Sequence, residues 1–163
     1  MITILLMSAG GVWSSANSFA DTVSDSMIPF LIAGELVLAL DHDNGKEKAV
    51  QGAKALLVTD LATNALKMVI RDKRPNSDSR DSFPSGHTSL TFTMATVLSD
   101  YKPEYTIPAY GMALLMGWSR VESGEHHWYD VIAGAILGYS IAKRYTGQHL
   151  TVTPEGLTYN WKF

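Results

Sequence analysis

The chain has 163 residues, 46% hydrophobic and 18% charged, which suits one folded domain with a substantial core and excludes a disordered chain. Thirteen Lys and Arg against sixteen Asp and Glu give a net charge of −3, without the broad basic surface that general nucleic-acid binding requires. With no cysteine, disulfide scaffolds, thiolate metal sites and thiol catalysis are excluded together.

The chain opens on an apolar run, ITILLM, followed by small residues up to Ala20. Ser18 and Ala20 would suit a cleavage site before Asp21, although no Lys or Arg precedes the apolar run. Residues 1–20 are therefore expected to be a signal-like or leader segment, with an N-terminal helix as the alternative. A first apolar helix is expected over 25–40, ended by the turn Asp41-His42-Asp43-Asn44-Gly45. His42 between two acids reads as part of a solvated turn rather than a metal site.

Residues 46–70 form the clearest amphipathic helix. Ala49, Ala53, Leu56, Leu57, Leu61, Ala65 and Met68 recur at three- and four-residue steps, as one buried stripe requires. Asp60, Asn64, Lys67 and Arg71 fall on a polar stripe. A polar loop follows over 72–84, then helices over about 85–99, 106–119 and 127–145. Gly134 and Gly138, four apart, predict a close helix crossing. The tail has two short β-prone runs around Pro154-Glu155-Gly156, which predict a hairpin. The expected class is all-α: a single helical domain over 21–147, with a C-terminal β-hairpin over 148–163.

The most apolar stretches, 27–40, 107–118 and 131–142, fall short of the ~20 residues a bilayer-crossing helix needs, and Glu35 interrupts the first. They are expected to be buried helices of a water-soluble domain with no transmembrane span, able to touch a membrane peripherally. Trp118 and Trp128 are expected in the core.

Three segments carry chemistry. Lys67, Arg71, Lys73, Arg74 and Arg80 put five of the thirteen basic residues in one short window, a local anion site within an acidic protein. Pro84-Ser85-Gly86-His87 leads straight into a helix. Gly86 lets the backbone approach a ligand, and the unpaired first amides of the helix make a phosphate-sized cradle. Ser85 adds a hydroxyl and His87 sits at the mouth. In the third segment Arg120 ends one helix, and His126 and Asp130 lie four apart on the next. A carboxylate on one imidazole nitrogen fixes the tautomer and leaves the other nitrogen nucleophilic. Spacing favours His126 and leaves His127, three from Asp130, within reach.

Lys67-(six residues)-Arg74-Pro75, Pro84-Ser85-Gly86-His87 and Ser119-Arg120-(five residues)-His126-(three residues)-Asp130 together resemble the three-part signature of the type 2 phosphatidic acid phosphatase superfamily. That superfamily also holds bacterial acid phosphatases and vanadium-dependent haloperoxidases. The resemblance implies a helical bundle in which Lys67, Arg74 and Arg120 bind phosphoryl oxygens with Ser85 and the Gly86 amide. It implies His126 as nucleophile, Asp130 orienting it, and His87 as acid and then base. It implies no metal and no other cofactor, with vanadate binding as a phosphate analogue. The implied partner is a phosphorylated small molecule or lipid, and the implied location is periplasmic or otherwise extracytoplasmic. Two rival readings use the same residues: a haloperoxidase, and a non-catalytic anion-binding module. The two well-placed histidines favour chemistry.

Overall fold

Asn44 and Arg71 bracket the longest helix, both in the left-handed region with φ of 57° and 51°. Asn tolerates that conformation better than most residues, which is why the turn at 41–44 can hand the chain directly into a helix. The computed structural model describes residues 19–147, and beyond them the backbone alone of 149–153 and 156–160. The leader expected over 1–20 thus lies outside the described residues, apart from its last two.

Helix α1 (Phe19–Asp25) turns by 41° into α2 (Met27–Ala39). Then come α3 (Gly45–Ile70), α4 (Gly86–Tyr101), a short 3-10 turn (Pro103–Tyr105), α5 (Thr106–Glu122) and α6 (Trp128–Thr146). The bounds match the periodicity closely, except that the first expected helix is broken at Ser26. The described domain is all-helical.

Connections between successive helices make the bundle antiparallel, so its two ends differ. The C-terminus of α3, the N-terminus of α4, the C-terminus of α5 and the N-terminus of α6 meet at one end. At the other end Asp41 accepts hydrogen bonds from Lys48 and, at 2.8 Å, from Lys102, tying α2, α3 and α4 together. Asp100 there takes Lys143 at 2.5 Å and Thr146 at 2.6 Å.

Helix α4 is the central element. Its buried side chains are mostly Thr and Ser, paired across helices: Thr93 with Thr59 at 2.9 Å and Ser89 with Thr63 at 2.9 Å. Small residues let the backbones close in. A side chain on Gly138 would meet the Ser89 carbonyl at 2.1 Å, and one on Gly134 the Ser85 carbonyl at 2.7 Å. The expected glycine crossing is the contact between α6 and α4.

Two expectations need correcting. The predicted stripe of α3 faces the core only in part: Ala49 and Leu56 pack against it, whereas Leu57 and Leu61 are each 60% exposed and Met68 is 76% exposed. The buried positions are instead Gly45, Gly52, Ala55, Thr59 and Thr63. The physical reason is contact distance. Helices that pack through Gly and Thr backbones leave no room for Leu between them, so the large side chains turn outward. Trp128, expected in the core, is 57% exposed, while Trp118 is half-buried against Phe19. No single described helix is long and apolar enough to cross a membrane, although the bent pair α1–α2 passes by length and composition.

Candidate active site

The end of the bundle where α3, α4, α5 and α6 meet gathers all three sequence segments. Lys67 stands in the last turn of α3 and donates to the Asp81 carbonyl. Arg74 lies in the following loop. Its Nε and Nη2 donate to the two Asp81 carboxylate oxygens at 2.8 and 2.9 Å, and its Nη1 donates to Glu125. Arg120 ends α5, largely buried; its Nη1 donates to Ser24 Oγ of α1 at 3.0 Å, and its Nη2 lies 3.5 Å from Glu125. Three cations from three separate elements therefore face one place, with Glu125 lying on two of them.

Ser85 is fully buried as the N-cap residue of α4 and holds the site together from below. Its amide donates to the Asp130 carbonyl at 3.0 Å, and its hydroxyl accepts from Thr88 at 3.0 Å. A Cβ built on Gly86 would meet only Thr63 Cγ2, at 3.7 Å. The fold itself does not demand glycine there, and the space beside this first amide of α4 is open.

His126 is buried, and its amide donates to the Arg120 carbonyl at 3.0 Å. Its Nδ1 lies 3.6 Å from Asp130 Oδ2, and Ser82 bridges the two, donating to Oδ2 at 2.6 Å and lying 3.4 Å from Nδ1. His127 is partly exposed. Its Nδ1 sits 3.2 Å from the same oxygen, its amide donates to it at 2.8 Å, and its ring stacks on Tyr129. The neighbours thus divide. His127 caps α6, whereas His126 is buried within the field of the cations. Asp130 is fully buried, and its Oδ1 has no hydrogen-bond partner among the described residues.

Electrostatics set the protonation states. Burial, then Lys67, Arg120 and Arg74, pulls the His126 imidazole down to about 4, against which Asp130 acts more weakly. Burial, then Arg120 and Arg74, pulls His87 down to about 4 as well. Both rings are neutral at pH 7 while the anion site is empty, and both feel the same three cations. The two histidines thus share one electrostatic neighbourhood rather than opposite sides of the molecule.

Sequence reasoning missed Ser24, Ser82, Asp81 and Glu125. None carries a spacing signal of its own, since each reaches the site through the fold. It also missed that Asp72, His127 and Asp130 bring potential ligand atoms within 4.8 Å of one another. One Asp72 oxygen there accepts from Tyr129 at 2.7 Å, and Asp130 Oδ2 accepts from Ser82 and the His127 amide.

A family profile described as the PAP2 superfamily matches residues 49–153, which contain every cation and histidine above. A lipid A 1-phosphatase of Porphyromonas gingivalis is 32% identical over 98 residues, covering 58% of this chain and 22% of that protein. Lipid phosphate phosphatase 1 of Arabidopsis thaliana is 30% identical over 132 residues, covering 54% of this chain and 40% of its own length. The chain thus spans less than half the length of both curated relatives. The crystal structure of Aquifex aeolicus LpxE superposes with a TM-score of 0.67 at 26% identity, covering 80% of this chain and 85% of that one.

Proposed function

This chain belongs to the PAP2 superfamily, and on that premise we propose that it is a phosphatase that hydrolyses phosphate monoesters, lipid phosphates above all, through a phosphohistidine intermediate. One observation carries the reading: a buried, neutral His126 beside a buried Asp130, facing Lys67, Arg74 and Arg120.

Geometry and charge supply the steps. A phosphoryl group among the three cations, Ser85 and the Gly86 amide has its negative oxygens held by groups already in place. The neutral His126 Nε2 attacks phosphorus. The N–P bond forms as the P–O bond to the leaving group breaks, and the imidazole becomes cationic, stabilised by Asp130 through Nδ1. The departing oxygen takes a proton from His87. His87 then accepts a proton from water as that water attacks the phosphohistidine, releasing inorganic phosphate and restoring both rings. The bound phosphoryl dianion raises the His87 pKa from its depressed value, so substrate binding itself charges the acid.

Metal independence is part of the proposal. It is supported by the three cationic side chains that converge on the site and can hold phosphoryl oxygens themselves. The lipid preference is supported by the lipid phosphatase names of the two relatives and by the outward Leu57, Leu61, Ile132 and Ile136, which suit contact with lipid. An extracytoplasmic location follows from the resemblance to exported acid phosphatases. The C-terminal hairpin is supported by the antiparallel backbone register of His149–Thr153 with Gly156–Asn160.

The test is phosphate release by the purified protein from phosphatidic acid and from para-nitrophenyl phosphate, with and without EDTA. Labelled substrate quenched in alkali should leave phosphate on the protein, and His126→Ala should remove both the label and turnover. No release, or release abolished by EDTA and restored by a divalent cation, overturns the mechanism.

A further inference from the structure

The basic cluster after α3 is larger than the phosphate cradle needs: of Lys67, Arg71, Lys73, Arg74 and Arg80, only Lys67 and Arg74 belong to the cradle. Charge pairing separates the other three. Lys73 lies 2.7 Å from Asp78. Both Asp81 carboxylate oxygens accept from Arg74. Asp72 accepts from Tyr129 and from the Lys73 amide. Every acid of the loop is thus engaged. The exposed Arg71 and Arg80 have no side-chain hydrogen bond or ion pair among the described residues.

Those two arginines line one cavity of about 380 Å³, together with Lys67, Met68 and Asp81. Lys67 also lies in the field of Arg74, Arg120 and Asp130, so one side chain is common to this cavity and to the cradle. Arg71 is held in an unusual backbone state as well. It follows α3 at φ 51° and ψ 44°, in the left-handed region where glycine or asparagine ends a helix most easily. Arginine is strained there, and no side-chain contact among the described residues offsets the strain.

We propose that Lys67, Arg71 and Arg80 form a second anion subsite, which takes a second phosphate of the same substrate beside the one attacked by His126. Doubly phosphorylated substrates are then preferred to those with a single phosphate. The inference rests on the phosphatase reading above. Guanidinium forks match phosphate oxygens, and the one carboxylate in the cavity is already bonded to Arg74. Because Lys67 serves both spaces, the two phosphates are neighbours, bonded directly or separated by a few carbons. Where they are bonded directly, His126 Nε2 bonds to the terminal phosphorus as its bond to the bridging oxygen breaks. The second phosphate leaves with that electron pair, and its new negative charge is met by Arg71 and Arg80.

The experiment uses the purified full chain in detergent and two substrate pairs. Geranyl diphosphate and geranyl phosphate share one hydrocarbon; propane-1,3-diyl bisphosphate and propyl phosphate set the second phosphate three carbons away. The kcat/KM ratio within each pair is read. In the parent at least one ratio should exceed one, and which one it is assigns the spacing. Arg71→Gly and Arg80→Ala should each lower that ratio by about threefold to tenfold, the scale of a partly exposed charge-assisted contact. Lys73→Ala removes an equal charge from the same loop outside the cavity and should change it by less than about twofold. Arg71→Gly should not lower the Tm, since glycine relieves the backbone. Parent ratios below one in both pairs overturn the subsite, as do ratios unchanged in both variants or lowered as much by Lys73→Ala. A lower Tm for Arg71→Gly with unchanged ratios makes Arg71 a cap of α3 and also overturns it. Unchanged ratios with weaker inhibition by orthophosphate mean a site for free phosphate, which overturns it too. A parent protein that hydrolyses none of the four defeats the phosphatase reading itself.

Discussion

His126 and His127 differ by one position, yet the fold gives them opposite environments. His126 is buried among cations, and His127 is an N-cap whose ring lies on Tyr129. His126→Ala should abolish turnover, while His127→Ala should retain most of it and lose about 1 kcal/mol of stability as a capping group is removed. Steady-state rates and thermal melts on both variants check this; equal loss of rate in both would remove His126 as nucleophile. Glu125 is the residue no spacing announced. Its carboxylate lies against Arg74 and Arg120, where a phosphate would sit. Glu125→Gln should therefore tighten vanadate and phosphate inhibition by about tenfold, the scale of one charge-assisted contact, measured as Ki against para-nitrophenyl phosphate. The depressed histidines also fix the sign of the pH dependence. In the free enzyme both release their protons near 4, so kcat/KM should peak in acid and fall on the alkaline side as His87 loses its proton. Bound phosphate raises His87, so the alkaline limb of kcat should lie at higher pH than that of kcat/KM. Both groups bind protons more weakly folded than unfolded. Their contribution to stability is therefore present above 6.5 and lost as the pH falls towards 4. A Tm that rises on acidification over that range in the parent, relative to a His87→Ala His126→Ala double variant, would contradict it.

At the scale of elements, periodicity located the helices but not which way they face. On α3 both stripes repeat at helical spacing, and a repeat says nothing of direction. The choice was made by Gly52, Thr59 and Thr63, which fit between close backbones, over Leu57 and Leu61, which do not. Reading an apolar stripe as a core assumes water outside. Gly134 and Gly138 were legible because their signal is steric: only glycine permits the approach of α6 to Ser85 and Ser89. The site motifs were legible for a related reason, since each sits at a helix end and the antiparallel topology brings alternate ends together. Ser24 was not, because nothing in the sequence places α1 against Arg120. Gly138→Ala puts a methyl 2.1 Å from the Ser89 carbonyl and must push α6 off α4. The expected cost is about 1–3 kcal/mol. Because Ser85 and Asp130 are joined across that same contact, turnover should fall as well. An unaltered Tm and rate would mean that the two helices are not held at this distance.

Among the described residues, polar clusters close both ends of the bundle, while exposed apolar side chains run along its whole length, Met68 and Val69 at the phosphate-binding end and Leu40 and Ile107 at the other included. The Lys67–Arg74–Arg120 cluster lies at one end and the Asp41, Asp100, Lys48, Lys102 and Lys143 pairs at the other. Between them Ile32 and Leu36 of α2, Leu57 and Leu61 of α3, Leu114 of α5, and Ile132 and Ile136 of α6 are all more than half exposed. Such side chains scattered singly need no explanation, but four helices presenting them make a belt rather than a patch. The interior combines hydrogen-bonded Thr and Ser side chains and small residues at close crossings with an apolar cluster around Leu38, Met94, Val97 and Leu98. Mean hydropathy of only +0.03 conceals this, because an average cannot distinguish an apolar core from an apolar rim. Lipid around this belt, with the phosphate-binding end at the level of headgroups, is the expectation these side chains raise. The purified chain should then require detergent to stay monodisperse and should float with phosphatidylcholine vesicles. Replacing Ile32, Leu61 and Ile136 together by Ser should weaken flotation while leaving hydrolysis of para-nitrophenyl phosphate nearly intact, since none of the three lines the site. A parent chain that is monomeric in plain buffer and ignores vesicles would show the belt to be solvated, and the lipid preference would lose its structural support.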